Sequence, residues 1–133
     1  MLLDAAPGVR CLRDATRGGV ATVLNEFAEA SRVAIEIDEE RTPLRPAVRG
    51  FCEILGLDPL YLANEGKLVA VVPAAQAEAA LAALRSHPLG RYATIIGEVR
   101  DGTRDPGRVT MRTLLGGTRI VDTLVGEQLP RIC

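Results

Sequence analysis

Two groups in this chain have side chains suited to covalent or acid–base chemistry, and they lie far apart in sequence. The first is Cys133, a thiol at the end of Leu129-Pro130-Arg131-Ile132-Cys133. A free thiol with a pKa of about 8.5 is only a few per cent thiolate at neutral pH, and a neighbouring carboxylate raises that pKa further. Such a thiol suits an acceptor of an acyl-type group, activated by a site elsewhere, better than a resident nucleophile. An incidental exposed terminal cysteine fits the same residues. Extended at about 3.3 Å per residue, the stretch from Gly126 to Cys133 would reach roughly 23 Å, enough to visit several sites.

The second group is Glu65, in Asp58-Pro59-Leu60-Tyr61-Leu62-Ala63-Asn64-Glu65-Gly66-Lys67, just before an apolar run. Sheets with helices on them often place functional carboxylates at such a strand entry, although a solvated loop glutamate is the commoner outcome, with Lys67 as its solvated neighbour. A third stretch, Arg13-Asp14-Ala15-Thr16-Arg17-Gly18-Gly19, opens into a helical pattern. Backbone N–H groups at a helix start suit an anion. The simpler reading is a turn and helix cap, with the acid favoured near the positive helix end. The spacing matches neither the P-loop nor the dinucleotide glycine fingerprint.

The remaining candidates read as packing or surface. Cys11 lies between apolar residues and Cys52 on the apolar face of a helix, where free cysteine behaves as a small hydrophobe. Three cysteines without a CxxC pair and one histidine fit few metal-site templates. An odd count in a reducing compartment implies free thiols. His87, ahead of a proline, reads as a surface residue.

Composition narrows the classes further. With 133 residues, 47% hydrophobic and 25% charged, the chain suits one compact domain. The net charge is -1, the basic residues are scattered, and aromatic residues make up only 3%. That balance lacks the basic stripe and stacking surfaces of a nucleic-acid binder. No run approaches the roughly 20 apolar residues of a membrane span, and no signal-peptide pattern opens the chain, so the cytoplasm is the expected compartment.

The positioning elements follow from periodicity. Met1 to Cys11 resembles a helix end, a Pro7-Gly8 turn and then Val9 to Leu12, as if the chain began inside a longer protein. Val20, Val23, Leu24 and Phe27 share one face of a helix running to about Ala30. Val33 to Ile37 alternates as a half-exposed strand. Val48, Phe51, Cys52 and Leu55 share one apolar face of a second helix, whose entry Pro43 and Pro46 mark and which stops at Gly56.

Leu68 to Val72 predicts a buried central strand. Ala74 to Ser86 predicts a helix with Ala77, Leu81 and Leu84 inward. Tyr92 to Val99 and Arg108 to Thr113 read as a hairpin around an Asp101 to Gly107 turn, and Thr118 to Val121 as a further strand. The order predicts an α/β layered domain with a mixed sheet, residues 1–121, followed by a flexible tail, residues 122–133, that carries the cysteine.

Taken together, RDATRGG (Arg13 to Gly19), DPLYLANEGK (Asp58 to Lys67) and LPRIC (Leu129 to Cys133) resemble the HypE family of hydrogenase maturation factors, the carbamoyl dehydratases. The likeness covers essentially the whole chain. The first motif is shared with related ATP-using synthetases, while the terminal cysteine motif is specific to HypE. The resemblance implies the C-terminal fold of the aminoimidazole ribonucleotide synthetase-like (PurM) superfamily.

It also implies a reaction: a carbamoyltransferase, HypF, loads a carbamoyl group on Cys133, ATP drives its dehydration to a thiocyanate, and cyanide passes to iron on a HypC–HypD complex. By the same resemblance Cys133 is the covalent carrier and Glu65 the base. Asp14, Thr16, Arg17, Gly18 and Gly19 shape the nucleotide-phosphate side. The resemblance places most ATP and magnesium contacts, and much of a homodimer interface, on an N-terminal domain not found here, so the chain alone is expected to be inactive and to hold no cofactor tightly. The alternative is a non-catalytic interaction or dimerisation module with Cys133 inert.

Overall fold

The computed structural model describes residues 1–124. Cys133 and most of the expected tail therefore lie outside the described residues. In chain order the elements are α1 (Leu2–Ala5), β1 (Cys11–Asp14), α2 (Gly19–Ser31), β2 (Ala34–Asp38), α3 (Pro46–Leu55), β3 (Leu68–Val71), α4 (Ala77–Arg85), β4 (Gly97–Arg100), β5 (Val109–Arg112) and β6 (Thr118–Ile120). A 3-10 turn, Pro59–Tyr61, lies between α3 and β3.

The strands form two sheets. Four of them run in the order β4-β2-β5-β6, with β2 and β5 parallel and the outer pairs antiparallel. Strands β1 and β3 make a separate antiparallel pair. Helix α2 packs on β2 and β5, and α1 packs against α4. This is the mixed sheet layered with helices that the element order predicts.

Period-two alternation builds the core. Ile35 and Ile37 of β2 and Val109 and Met111 of β5 point the same way and are all buried, against Ala21, Leu24 and Ala28 of α2 and Leu60 of the 3-10 turn. Each such large side chain contributes roughly 1.5–3 kcal/mol on burial. Val20 and Phe27 pack at the rim. Cys52 is buried and Cys11 half-buried, both unbonded to any other cysteine, as the packing reading predicts.

Three expectations are corrected. Among the described residues the apolar run at Leu68 pairs with β1 alone, and Leu68 is 57% exposed, so β3 is no central strand there. A β-branched run suits a sheet, but the chain's topology decides how many neighbours it receives. Strands β4 and β5 do not form a hairpin, because β2 lies between them and pairs with both. The hairpin is instead β5–β6, closed by a turn in which Thr113 N–H donates to Gly117 O at 2.8 Å.

The third correction concerns α3. Its start and stop are as read, with Pro46 in the first turn and Gly56 in the left-handed cap at φ 66°. Of its apolar face only Cys52 is buried; Phe51, Leu55 and Val48 are exposed, as is Ile54. An amphipathic pattern records that a face favours burial, and among the described residues nothing covers this one. On α4 the expected inner face is half-buried, and its one buried residue is Ala80.

Candidate functional site

The loop after β1 and the loop before β3 are brought together by the pairing of those strands, in which Asp14 lies opposite Leu68. Beyond the ladder, the Ala15 N–H donates to Lys67 O at 3.3 Å, and the Asn64 N–H donates to Ala15 O at 3.1 Å. Ala15 is fully buried between these partners. The Asp14–Gly19 segment and the Asn64–Lys67 segment thus form adjoining walls, although residues 20–63 intervene.

Within the first wall, the Thr16 hydroxyl donates to Asp14 Oδ2. That bond, and next the backbone at Asp14 itself, hold the Asp14 carboxyl below its usual range. Arg17 is exposed. Gly18 is the left-handed cap of α2 at φ 65°, and no side chain caps the helix. This differs from the acid-capped turn, since neither Asp14 nor Thr16 reaches the helix start. By helix geometry the first-turn N–H groups have no intrahelical acceptor.

Gly19 shows why two glycines stand here. Its φ is +65°, and a Cβ would sit 2.4 Å from Leu60 O and 2.7 Å from Leu62 O. The start of α2 is therefore pressed against the 3-10 turn of the second motif. In the opposite wall Glu65 is exposed, in a tight turn with Gly66 at φ 75°.

Residues outside these candidates complete the surroundings. The Asp58 side chain accepts from the Leu60 N–H at 3.0 Å, starting the 3-10 turn. It also pairs with Arg119 of β6 at 2.7 Å. Burial first, then the Asp58 charge, pushes the Tyr61 pKa up. Asn25, buried at 4% exposure, donates to Val121 O at 2.9 Å. Asn25 had a sequence signal: with Ala21, Leu24 and Ala28 it falls at i, i+3, i+4, i+7 on the inner face. Arg119 and Tyr61 had none.

Among the described residues no three of His, Cys, Asp and Glu stand together to hold a metal ion. No helix among them is long and apolar enough to cross a membrane.

A four-stranded mixed sheet and a two-stranded sheet packed with helices, with two adjoining loops at a helix start, define a layered α/β domain. The chain belongs to the AIR synthase related protein, C-terminal domain family, whose model matches residues 1–109. Within it the likeness is to the hydrogenase maturation protein HypE. Carbamoyl dehydratase HypE of Rhodobacter capsulatus is 58% identical over 132 residues, covering 99% of this chain and 38% of that protein.

The Escherichia coli HypE crystal structure superposes with a TM-score of 0.89 at 53% identity, over 99% of this chain and 41% of that one. A HypE crystal structure in complex with ATP superposes at 0.87 and 51% identity, over 95% of this chain and 38% of that one. A HypE–HypF complex matches at 0.85 and 46%, over 92% of this chain and 39% of that one. The chain thus spans well under half the length of the relatives it matches.

Proposed function

We propose that this chain is the acceptor-bearing part of a carbamoyl dehydratase of the HypE kind, with residues 1–121 as the folded body and 122–133 as the tail. The observation that carries the reading is the junction of the two motif loops through Ala15, in a chain 58% identical to a carbamoyl dehydratase. The relative crystallised with ATP and the relative in complex with HypF support a nucleotide and a carbamoyltransferase as its partners.

In this reading the carbamoyltransferase places a carbamoyl group on the Cys133 sulfur. The carbamoyl oxygen attacks the γ-phosphorus of ATP, and ADP leaves. Glu65 takes a proton from the carbamoyl nitrogen. Loss of the second nitrogen proton, with cleavage of the C–O bond, releases phosphate and forms the C≡N bond. The sum is S-carbamoyl cysteine and ATP giving S-cyano cysteine, ADP, phosphate and one proton.

Phosphorylation is needed because an amide oxygen leaves poorly. The chain's contribution to the nucleotide is the open N–H groups at Gly18 and Gly19 and the Arg17 charge, with Asp14 and Thr16 shaping the loop. Cyanide delivery to iron on a HypC–HypD complex, homodimer formation and residence in the cytoplasm complete the reading.

A second reading, a non-catalytic interaction or dimerisation module with Cys133 inert, is favoured by the exposed apolar face of α3. Mass spectrometry separates the two. Incubation with the carbamoyltransferase, carbamoyl phosphate and ATP should add one carbamoyl mass confined to the peptide ending in Cys133. A chain that gains none is the module.

A further inference from the structure

Asp58 and Arg119 belong to two parts of the chain with different duties: the loop that carries Glu65, and the last strand before the tail. One carboxylate serves both. Its Oδ1 accepts from the Leu60 N–H at 3.0 Å, and its Oδ2 meets the Arg119 guanidinium at 2.7 Å. The two side chains are 25% and 36% exposed, so solvent screens this pair less than a fully exposed one.

Strand β6 does not require the pair for its own formation, because its ladder with β5 is made by backbone groups. The guanidinium instead ties the 3-10 turn to the sheet. A further tie holds the end of this strand to the body, where Asn25 Nδ2 donates to Val121 O at 2.9 Å. The point where the tail departs and the loop holding Glu65 are thereby fixed to each other.

We propose that Asp58 and Arg119 are positioning residues for the dehydration, a role that rests on the function proposed above. The pair locks the origin of the tail and the Glu65 loop into one frame, so that the sulfur-borne group approaches the carboxylate from a constant starting point. A loop that is not held in place loses part of the rate that positioning supplies, since a misplacement of about 1 Å can cost as much as a hundredfold.

The pair is tested with Arg119→Gln and with Asp58→Asn, which keeps an oxygen for the Leu60 N–H. In this chain, hydrogen exchange at Leu60 and Asn64 reports the loop without reference to activity. Each variant should speed exchange there at least about fivefold, while Ile35, whose N–H donates to Arg108 O at 2.9 Å in the sheet, keeps its protection.

In a HypE-length protein carrying this sequence, each variant should load Cys133 normally but dehydrate it about fivefold more slowly, and the double variant should be no slower than either single one. Exchange unchanged at Leu60 and Asn64, dehydration at the parental rate, or deficits that multiply in the double variant would each overturn the proposal. Failure of the parent to accept any carbamoyl group would instead refute the reaction, and the exchange arm would then decide the tie by itself.

Discussion

The Asn25 side chain donates to the Val121 carbonyl at 2.9 Å across 96 residues of sequence. Its other N–H donates to Ala21 O one helical turn back, also at 2.9 Å. Val121, fully buried, gives its own N–H to Val109 O at 2.9 Å. The last core residue before the tail is thus held by the sheet on one side and by α2 on the other.

Replacing Asn25 with leucine keeps the branching of the side chain but strips the Val121 carbonyl of its partner. An orphaned buried acceptor costs about 1–3 kcal/mol. Urea unfolding of Asn25→Leu should show a lower midpoint at an unchanged slope. Equal midpoints would mean that the bond contributes nothing.

Gly19 and Gly66 share a left-handed backbone but not their surroundings. A Cβ at Gly19 meets the Leu60 and Leu62 carbonyls, whereas at Gly66 nothing lies within 4 Å. Gly66→Ala should cost about 1–2 kcal/mol, the backbone strain alone. Gly19→Ala should cost more, about 3 kcal/mol or above, because carbonyl oxygens must also move. Calorimetric melting of the two variants side by side checks the order.

Asp38 and Arg112 join adjacent strands, and the guanidinium bond holds the Asp38 carboxyl below its usual value, with the Glu40 N–H adding to the effect. A lowered folded-state pKa gives stability that is complete above the ordinary aspartate value of about 3.9 and is lost as the pH falls through the lowered one. Arg112→Gln should therefore be less stable than the parent near neutral pH, and the gap should close in strong acid. Unfolding midpoints at both pH values test it; a constant gap would sink the idea.

For the proposed chemistry, Cys133→Ala should abolish the carbamoyl mass gain and leave the circular dichroism spectrum unchanged. Glu65→Gln should load normally and form thiocyanate at least about a hundredfold more slowly, the usual scale for losing a general base. Infrared detection of the nitrile stretch follows the second step directly, and a normal rate would remove Glu65 from the mechanism.

The local readings held where a single element decides them. Ile35 and Ile37, and Val109 and Met111, alternate in sequence and are buried in the fold. Pro46 and Gly56 bound α3 because each acts on its own backbone. What sequence did not disclose is nonlocal. Nothing in residues 92–113 announces that β2 will lie between the two strands, and nothing in Phe51 or Ile54 tells whether this chain supplies their cover. At the candidate site the residue types were readable, and their junction through the Ala15 backbone was not, because backbone groups carry no sequence signature. Arg119 looked like any scattered surface arginine until its partner on a distant loop was known.

The placing of β2 between β4 and β5 also governs the order of assembly. As the chain leaves the ribosome, β2 emerges before both its partners, which follow only from Gly97 and Val109 onward. Until then Ile35 and Ile37 have α2 to lean on but no ladder, and two open strand edges face whatever else is in the cell. Such long-range pairing folds slowly and leaves apolar edges exposed in the interval. Chains cut short before residue 109 should therefore be caught by chaperones or aggregate, and the sheet closes only as the last dozen residues of the body appear.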